Sequence, residues 1–128
     1  MSPRVLVVDD EEDVRLLLRL QLEEHGYVVT GEAADGEEAL ECCRTDEPDV
    51  VILDLLMPRV NGFDTIPRMR REFPNVGVIA YTAVAGDFVR NEMARWHITL
   101  VLKTANFRPI AAALDQALAQ RTPSTDPV

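Results

Sequence analysis

Val50-Val51-Ile52-Leu53-Asp54 is an apolar run that stops on a carboxylate. Short continuous apolar runs bounded by turn residues mark strands buried on both faces, as in a parallel sheet. Three other stretches have the same form. Val5-Leu6-Val7-Val8 runs into Asp9 and Asp10, Val78-Ile79-Ala80-Tyr81 into Thr82, and Leu100-Val101-Leu102 into Lys103. If the four run parallel, their polar ends share one edge of one sheet. Open α/β sheets bind ligands outside that edge. A carboxylate pair, a lone carboxylate, a hydroxyl and an ammonium meeting there suit a metal ion and a phosphoryl group.

Helical patterns alternate with these runs. The strands are expected over residues 4–9, 27–30, 49–53, 76–81 and 98–102, with 27–30 at a sheet edge. Val14, Leu17, Leu18 and Leu22 form the inward stripe of a first helix, closed by Gly26 at its C′ position. Asp35-Gly36 opens a second helix, with Ala39, Leu40 and Cys43 inward, that ends before Pro48. A third is expected over 65–72, with Pro67 in its first turn. A fourth starts with Asp87 as N-cap and carries Val89 and Met93. A fifth buries Ile110, Leu114, Ala117 and Leu118. Five βα units with apolar central strands predict a doubly wound α/β fold, a parallel sheet covered by helices on both faces.

The chain has 128 residues, 47% hydrophobic and 27% charged, which suits one globular domain with a sizeable core. Residues 1–120 are read as that domain and 121–128, rich in Pro, Ser and Thr, as a disordered tail or the start of a linker. No run is long enough to span a bilayer and no secretory signal is visible, so the expected place is the cytoplasm and no membrane contact is expected. A net charge of −9 argues against direct binding to nucleic acid, which relies on Lys and Arg neutralising phosphates. Cys42 and Cys43 are read as two reduced thiols, because helical neighbours diverge by about a hundred degrees.

Asp9, Asp10 and Asp54 converging in one pocket would repel one another unless a cation or a proton is held. Oxygen-only ligands favour Mg²⁺ or Ca²⁺ over zinc, and the expected cofactor is Mg²⁺, or Mn²⁺. Glu11, Glu12 and Asp13 are read as first-turn acids favoured by the helix dipole. Lys103 is read as a second positive charge for a transferring phosphoryl group, and Thr82 as a hydroxyl on the adjoining strand.

Val-Val-Asp9-Asp10-Glu11, Asp54-Leu55-Leu56-Met57-Pro58-Arg59-Val60-Asn61-Gly62, Tyr81-Thr82-Ala83 and Lys103, in that order over roughly residues 4–120, resemble a receiver domain of a two-component response regulator. The resemblance implies a flavodoxin-like (βα)5 fold with strand order 2-1-3-4-5. It also implies that Asp54 accepts a phosphoryl group from a sensor histidine kinase, a phosphotransfer protein or an acyl phosphate, as a phosphoacceptor rather than an enzyme. Asp10, Asp9, Asp54 and the Leu56 carbonyl would hold Mg²⁺. Lys103, Thr82 and the Ala83 amide would contact the phosphoryl oxygens. The output face, a possible homodimer surface, would be the fourth helix, fifth strand and fifth helix, acting on an unknown effector. Gly62 is expected at positive φ.

Four positions depart from the family pattern. Lys103 is followed by Thr104 where the family has proline, so a trans bond and a rearranged loop are expected, with Lys103 still reaching Asp54. Leu100 stands where an aromatic switch residue is usual. Trp96 and His97 occupy a turn that often contains glycine; Trp96 is read as packing beneath the fourth helix, with a substitute switch as the other reading, and His97 as structural.

Two other classes compete. A flavin-dependent electron carrier shares the fold, but the acidic loop after the first strand is wrong for a flavin phosphate. A receiver-like interaction module that carries no phosphate is kept open by Thr104 and Leu100. Apolar Leu56 and Val84 beside the site predict slow self-dephosphorylation.

Overall fold

A computed structural model describes residues 2–57, 59, 61–83, 85–104 and 106–120. The expected tail, 121–128, and the loop residues Pro58 and Val84 lie outside the described residues. In chain order the elements are β1 (Arg4–Val8), α1 (Glu12–Glu24), β2 (Val28–Ala33), α2 (Gly36–Asp46), β3 (Val50–Asp54), α3 (Gly62–Glu72), β4 (Gly77–Thr82), α4 (Asp87–Arg95), β5 (Thr99–Leu102) and α5 (Arg108–Gln120). The sheet runs β2-β1-β3-β4-β5, and every pairing is parallel. This is the doubly wound, flavodoxin-like arrangement expected above.

Alternate residues of each strand feed two separate cores, as the two-residue period of a strand requires. Leu6, Val8, Val51, Leu53, Val78 and Ala80 face α2, α3 and α4, where they meet Leu40, Ile66, Met69 and Met93. Val5, Val7, Val50, Ile52, Ile79, Tyr81 and Val101 face α1 and α5, where they meet Leu18, Leu22, Ile110 and Leu114. The strands are apolar throughout because both faces are covered.

Helix ends follow local chemistry. The Asp35 side chain accepts from the Glu38 amide at 3.0 Å and caps α2. At the end of α1, Gly26 takes φ +88°, its amide donates to the Glu23 carbonyl and that of Tyr27 to the Leu22 carbonyl, a Schellman motif.

Five expectations need correction. Helix α3 starts at Gly62, not 65, because the Asn61 side chain accepts from the Asp64 amide at 3.0 Å and caps the helix early. Pro67 therefore lies inside the helix rather than in its first turn. The N-cap of α4 is Gly86, with Asp87 in the first turn where the dipole favours it. Leu17 is not buried; the α1 stripe narrows to Val14, Leu18 and Leu22, one residue every four, and leaves Leu16, Leu17 and Leu20 about half exposed. Gly62 has no positive φ; a Cβ there would come within 2.7 Å of the Asp54 carbonyl oxygen and the Leu55 Cα, so close approach is what demands glycine.

Candidate functional site

Strand register sets the site. Val8 pairs with Leu53, Leu53 with Ala80, and Ala80 with Leu100. Asp9 and Asp54 therefore stand side by side one step beyond Val8 and Leu53. Thr82 pairs with Leu102 one step further out, and Lys103 follows, its amide donating to the Thr82 carbonyl at 2.8 Å. The ammonium of Lys103 lies 2.7 Å from Asp9 Oδ2 and 3.2 Å from Asp54 Oδ2. The expectation that Lys103 reaches Asp54 without a following proline holds, and no cis peptide bond occurs among the described residues.

The site is buried and charged. Asp9 and Asp54 are almost fully enclosed and Asp10 is exposed at the rim. One oxygen from each lies within 4.8 Å of the others. Burial, then the neighbouring Asp9, push the Asp54 carboxyl up to about 6; the Leu56 amide, donating to Oδ1 at 3.1 Å, and Lys103 pull the other way. Burial alone would lower the Lys103 ammonium, but Asp9 and Asp54 outweigh it and hold it above its usual range. Among the described residues Asp9 Oδ2 has no aligned hydrogen-bond donor, even with the ammonium close by. A buried carboxylate oxygen whose close neighbour is the Lys103 ammonium, beside two more carboxylates, is a donor set suited to a hard divalent cation.

Arg15 was not legible as part of the site. Its guanidinium donates to the Asp9 carbonyl at 2.7 Å and pairs with Glu32 of β2 at 3.0 Å, fixing the loop after β1. Its place in α1 one turn past the acidic cluster was the available signal. The Glu11 amide adds a bond to Asp9 Oδ1 at 2.8 Å.

The remaining predicted residues separate. Thr82 is buried and lines a cavity of about 290 Å³ with Leu55, Leu56, Phe63, Phe88 and Val89, on the α3–α4 side of the sheet. Ala83 is exposed, as is the Leu56 side chain. Leu100 and Trp96 both pack partly buried against the α2–α4 core. Trp96 caps the C-terminus of α4, accepts from Arg70 at 3.2 Å and has the Arg95 guanidinium over its ring at 5.9 Å. His97 takes φ +57°, the left-handed turn that glycine often serves. Cys42 and Cys43 are free; burial raises both thiols, Cys43 to about 12.

Residues 5–115 match the model of the response regulator receiver domain. The chain belongs to this family. The receiver is 39% identical to the chemotaxis protein CheY of Thermotoga maritima over 84 residues, 66% of this chain and 70% of that protein. It is 38% identical over 89 residues to the alkaline phosphatase synthesis transcriptional regulatory protein PhoP of Bacillus subtilis, covering 69% of this chain but 36% of PhoP. Among solved structures, the Vibrio cholerae chemotaxis protein CheY4 superposes with a TM-score of 0.84 at 27% identity, over 92% of this chain and 100% of that one. The chain is thus a receiver domain of the two-component response-regulator class. Among the described residues no helix is long and apolar enough to cross a membrane.

Proposed function

We propose that this receiver is a phosphorylation-controlled switch in which Asp54 accepts the phosphoryl group. One observation carries the reading: three carboxylates and one ammonium meet at the carboxyl end of a parallel sheet, with Lys103 between Asp9 and Asp54. Asp9, Asp10, Asp54 and the Leu56 carbonyl would hold Mg²⁺, or Mn²⁺. The ion would supply charge neutralisation for the phosphoryl oxygens.

Asp54 acts as nucleophile. Its carboxylate oxygen forms the new bond to phosphorus while the bond to the donor breaks, releasing a histidine imidazole or, from acetyl phosphate, acetate. No general base is needed, because the ionised carboxylate carries no proton. Lys103 neutralises charge on the transferred group, and the Leu56 amide orients the acceptor through Oδ1. Thr82 Oγ and the Ala83 amide take the phosphoryl oxygens once the loop after β4 moves. The chain is a phosphoacceptor rather than an enzyme. Residues 1–120 make up the receiver unit, working in the cytoplasm with a histidine kinase or phosphotransfer protein. Its signal leaves through α4, β5 and α5, towards an effector or a second copy of the chain.

The test is incubation with Mg²⁺ and acetyl phosphate, read by intact mass. One phosphoryl adduct on the wild type, absent in Asp54→Asn, is expected. No adduct, and no beryllofluoride binding, would favour the phosphate-free interaction module. Leu56 offers no acid or amide to orient a hydrolytic water, so the adduct should decay slowly in a chase free of phosphatase; rapid loss contradicts this.

A further inference from the structure

The loop that follows the proposed acceptor carries an arginine in an unfavourable backbone conformation. Arg59 has φ +61°, a left-handed geometry that residues other than glycine seldom adopt. Strain of this kind persists where the surroundings over-determine it. What holds Arg59 is Asp35: Nε donates to Asp35 Oδ2 at 3.0 Å and a terminal nitrogen binds the same oxygen. Asp35 is rigidly placed. Its side chain is 6% exposed, its Oδ1 caps α2, and it follows β2, whose Ala33 carbonyl accepts from the Asp9 amide at 3.0 Å. The α2 cap and then Arg59 hold the Asp35 carboxyl below its ordinary range, so the pair stays charged at neutral pH.

The carboxylate cluster draws on two loops. Asp9 and Asp10 come from the loop after β1; Asp54 and the Leu56 carbonyl come from the end of β3 and the loop after it. The second loop is pinned at its base by the Gly62 amide donating to the Leu55 carbonyl at 3.1 Å, and Met57 is buried in the core. Beyond Met57, among the described residues, Arg59 ties the loop to the β2–α2 side, the side that also holds Asp9 through Ala33. We infer that the Arg59–Asp35 pair is a clasp that positions the loop after β3 against the loop after β1, so that both halves of the cation site are presented together. Arg59 is a positioning residue and touches no reacting group. The inference rests on the phosphoacceptor reading for its kinetic consequence, but not for its effect on cation binding.

The experiment measures initial phosphorylation by acetyl phosphate against Mg²⁺ concentration for wild type, Arg59→Gly, Arg59→Lys and Asp35→Asn, with Mg²⁺ binding followed separately by calorimetry. Glycine relieves the strain and removes the clasp. Asparagine keeps an oxygen to cap α2 and removes the charge. The Arg59 side chain is largely exposed, so the pair is worth about a 1.5-fold to fivefold change. Arg59→Gly and Asp35→Asn should raise the half-saturating Mg²⁺ by about that factor and leave the rate at saturating Mg²⁺ unchanged, with Arg59→Lys in between. An unaltered Mg²⁺ affinity in Arg59→Gly overturns the clasp, as does a lowered plateau rate with affinity intact. If the wild type takes no phosphoryl group, the acceptor reading fails, and the calorimetric affinities alone decide the clasp.

Discussion

In metal-free buffer Asp54→Asn should make the protein more stable at neutral pH, and the gain should vanish in acid. The buried Asp54 carboxyl titrates near 6 in the fold against an ordinary value of 3.8. The native state therefore binds this proton more tightly than the unfolded chain does. Stability is fully present below 3.8 and is lost as pH rises through 6. Each pH unit between the two values costs about 1.4 kcal/mol, so the ionised carboxylate destabilises the fold by about 3 kcal/mol at pH 7 and above. Asparagine removes that cost. It keeps an oxygen for the Leu56 amide, and Lys103 keeps Asp9 at 2.7 Å. The variant should gain about 2–3 kcal/mol at pH 8 and about 1.5 at pH 5, with no gain near pH 3. At pH 8 that is a rise in melting temperature of about 8–12 °C for a domain of this size. Thermal or urea unfolding in EDTA, followed by far-UV circular dichroism across pH 3–8, measures it. Saturating Mg²⁺ should narrow the gap, since a cation bound to the native wild type restores stability by mass action. An Asn variant less stable than wild type at pH 8 in EDTA, or a difference that does not change with pH, refutes the reasoning.

Three further outcomes follow from the same geometry. Gly62→Ala puts a Cβ 2.7 Å from the Asp54 carbonyl oxygen and should cost about 1–3 kcal/mol in urea unfolding, along with acceptor activity; a neutral result means that the loop yields freely. Lys103→Met strips the cation from Asp9 and Asp54, so the Asp54 carboxyl, followed by carbon-detected NMR, should titrate above 6; no rise would show that Lys103 does not hold it down. Cys43, whose thiol is pushed up to about 12, should resist iodoacetamide at pH 8 in the native protein and react once urea unfolds it; rapid native labelling would place the thiol at the surface.

The strands and their polar ends were readable because β1, β3 and β4 are buried on both faces, which leaves an unbroken apolar run and a clear stop. The carboxylate cluster and the Lys103 contact followed from those stops. Features fixed by single atoms were harder to see. Asn61 starts α3 through one side-chain oxygen, so the helix begins ahead of its apolar stripe and encloses Pro67. Gly62 looks like a turn glycine in sequence, yet it is required by the backbone packed beside it, which no local pattern reveals. Leu17 fits a helical stripe by spacing, but α1 meets the sheet along a narrower line. Arg15 reaches Asp9 and Glu32 only after β2 is laid beside β1, a long-range consequence of topology.

The two-sided sheet also divides labour between its faces. Tyr81, beneath the Lys103 ammonium at 5.8 Å, belongs to the core shared with α1 and α5, whereas Thr82 opens into the cavity beside Phe63 and Phe88 on the other side. Adjacent residues of one strand thus look onto opposite halves of the molecule. A change at position 81 is therefore felt by α1 and α5, and one at position 82 by the cavity beside α3 and α4.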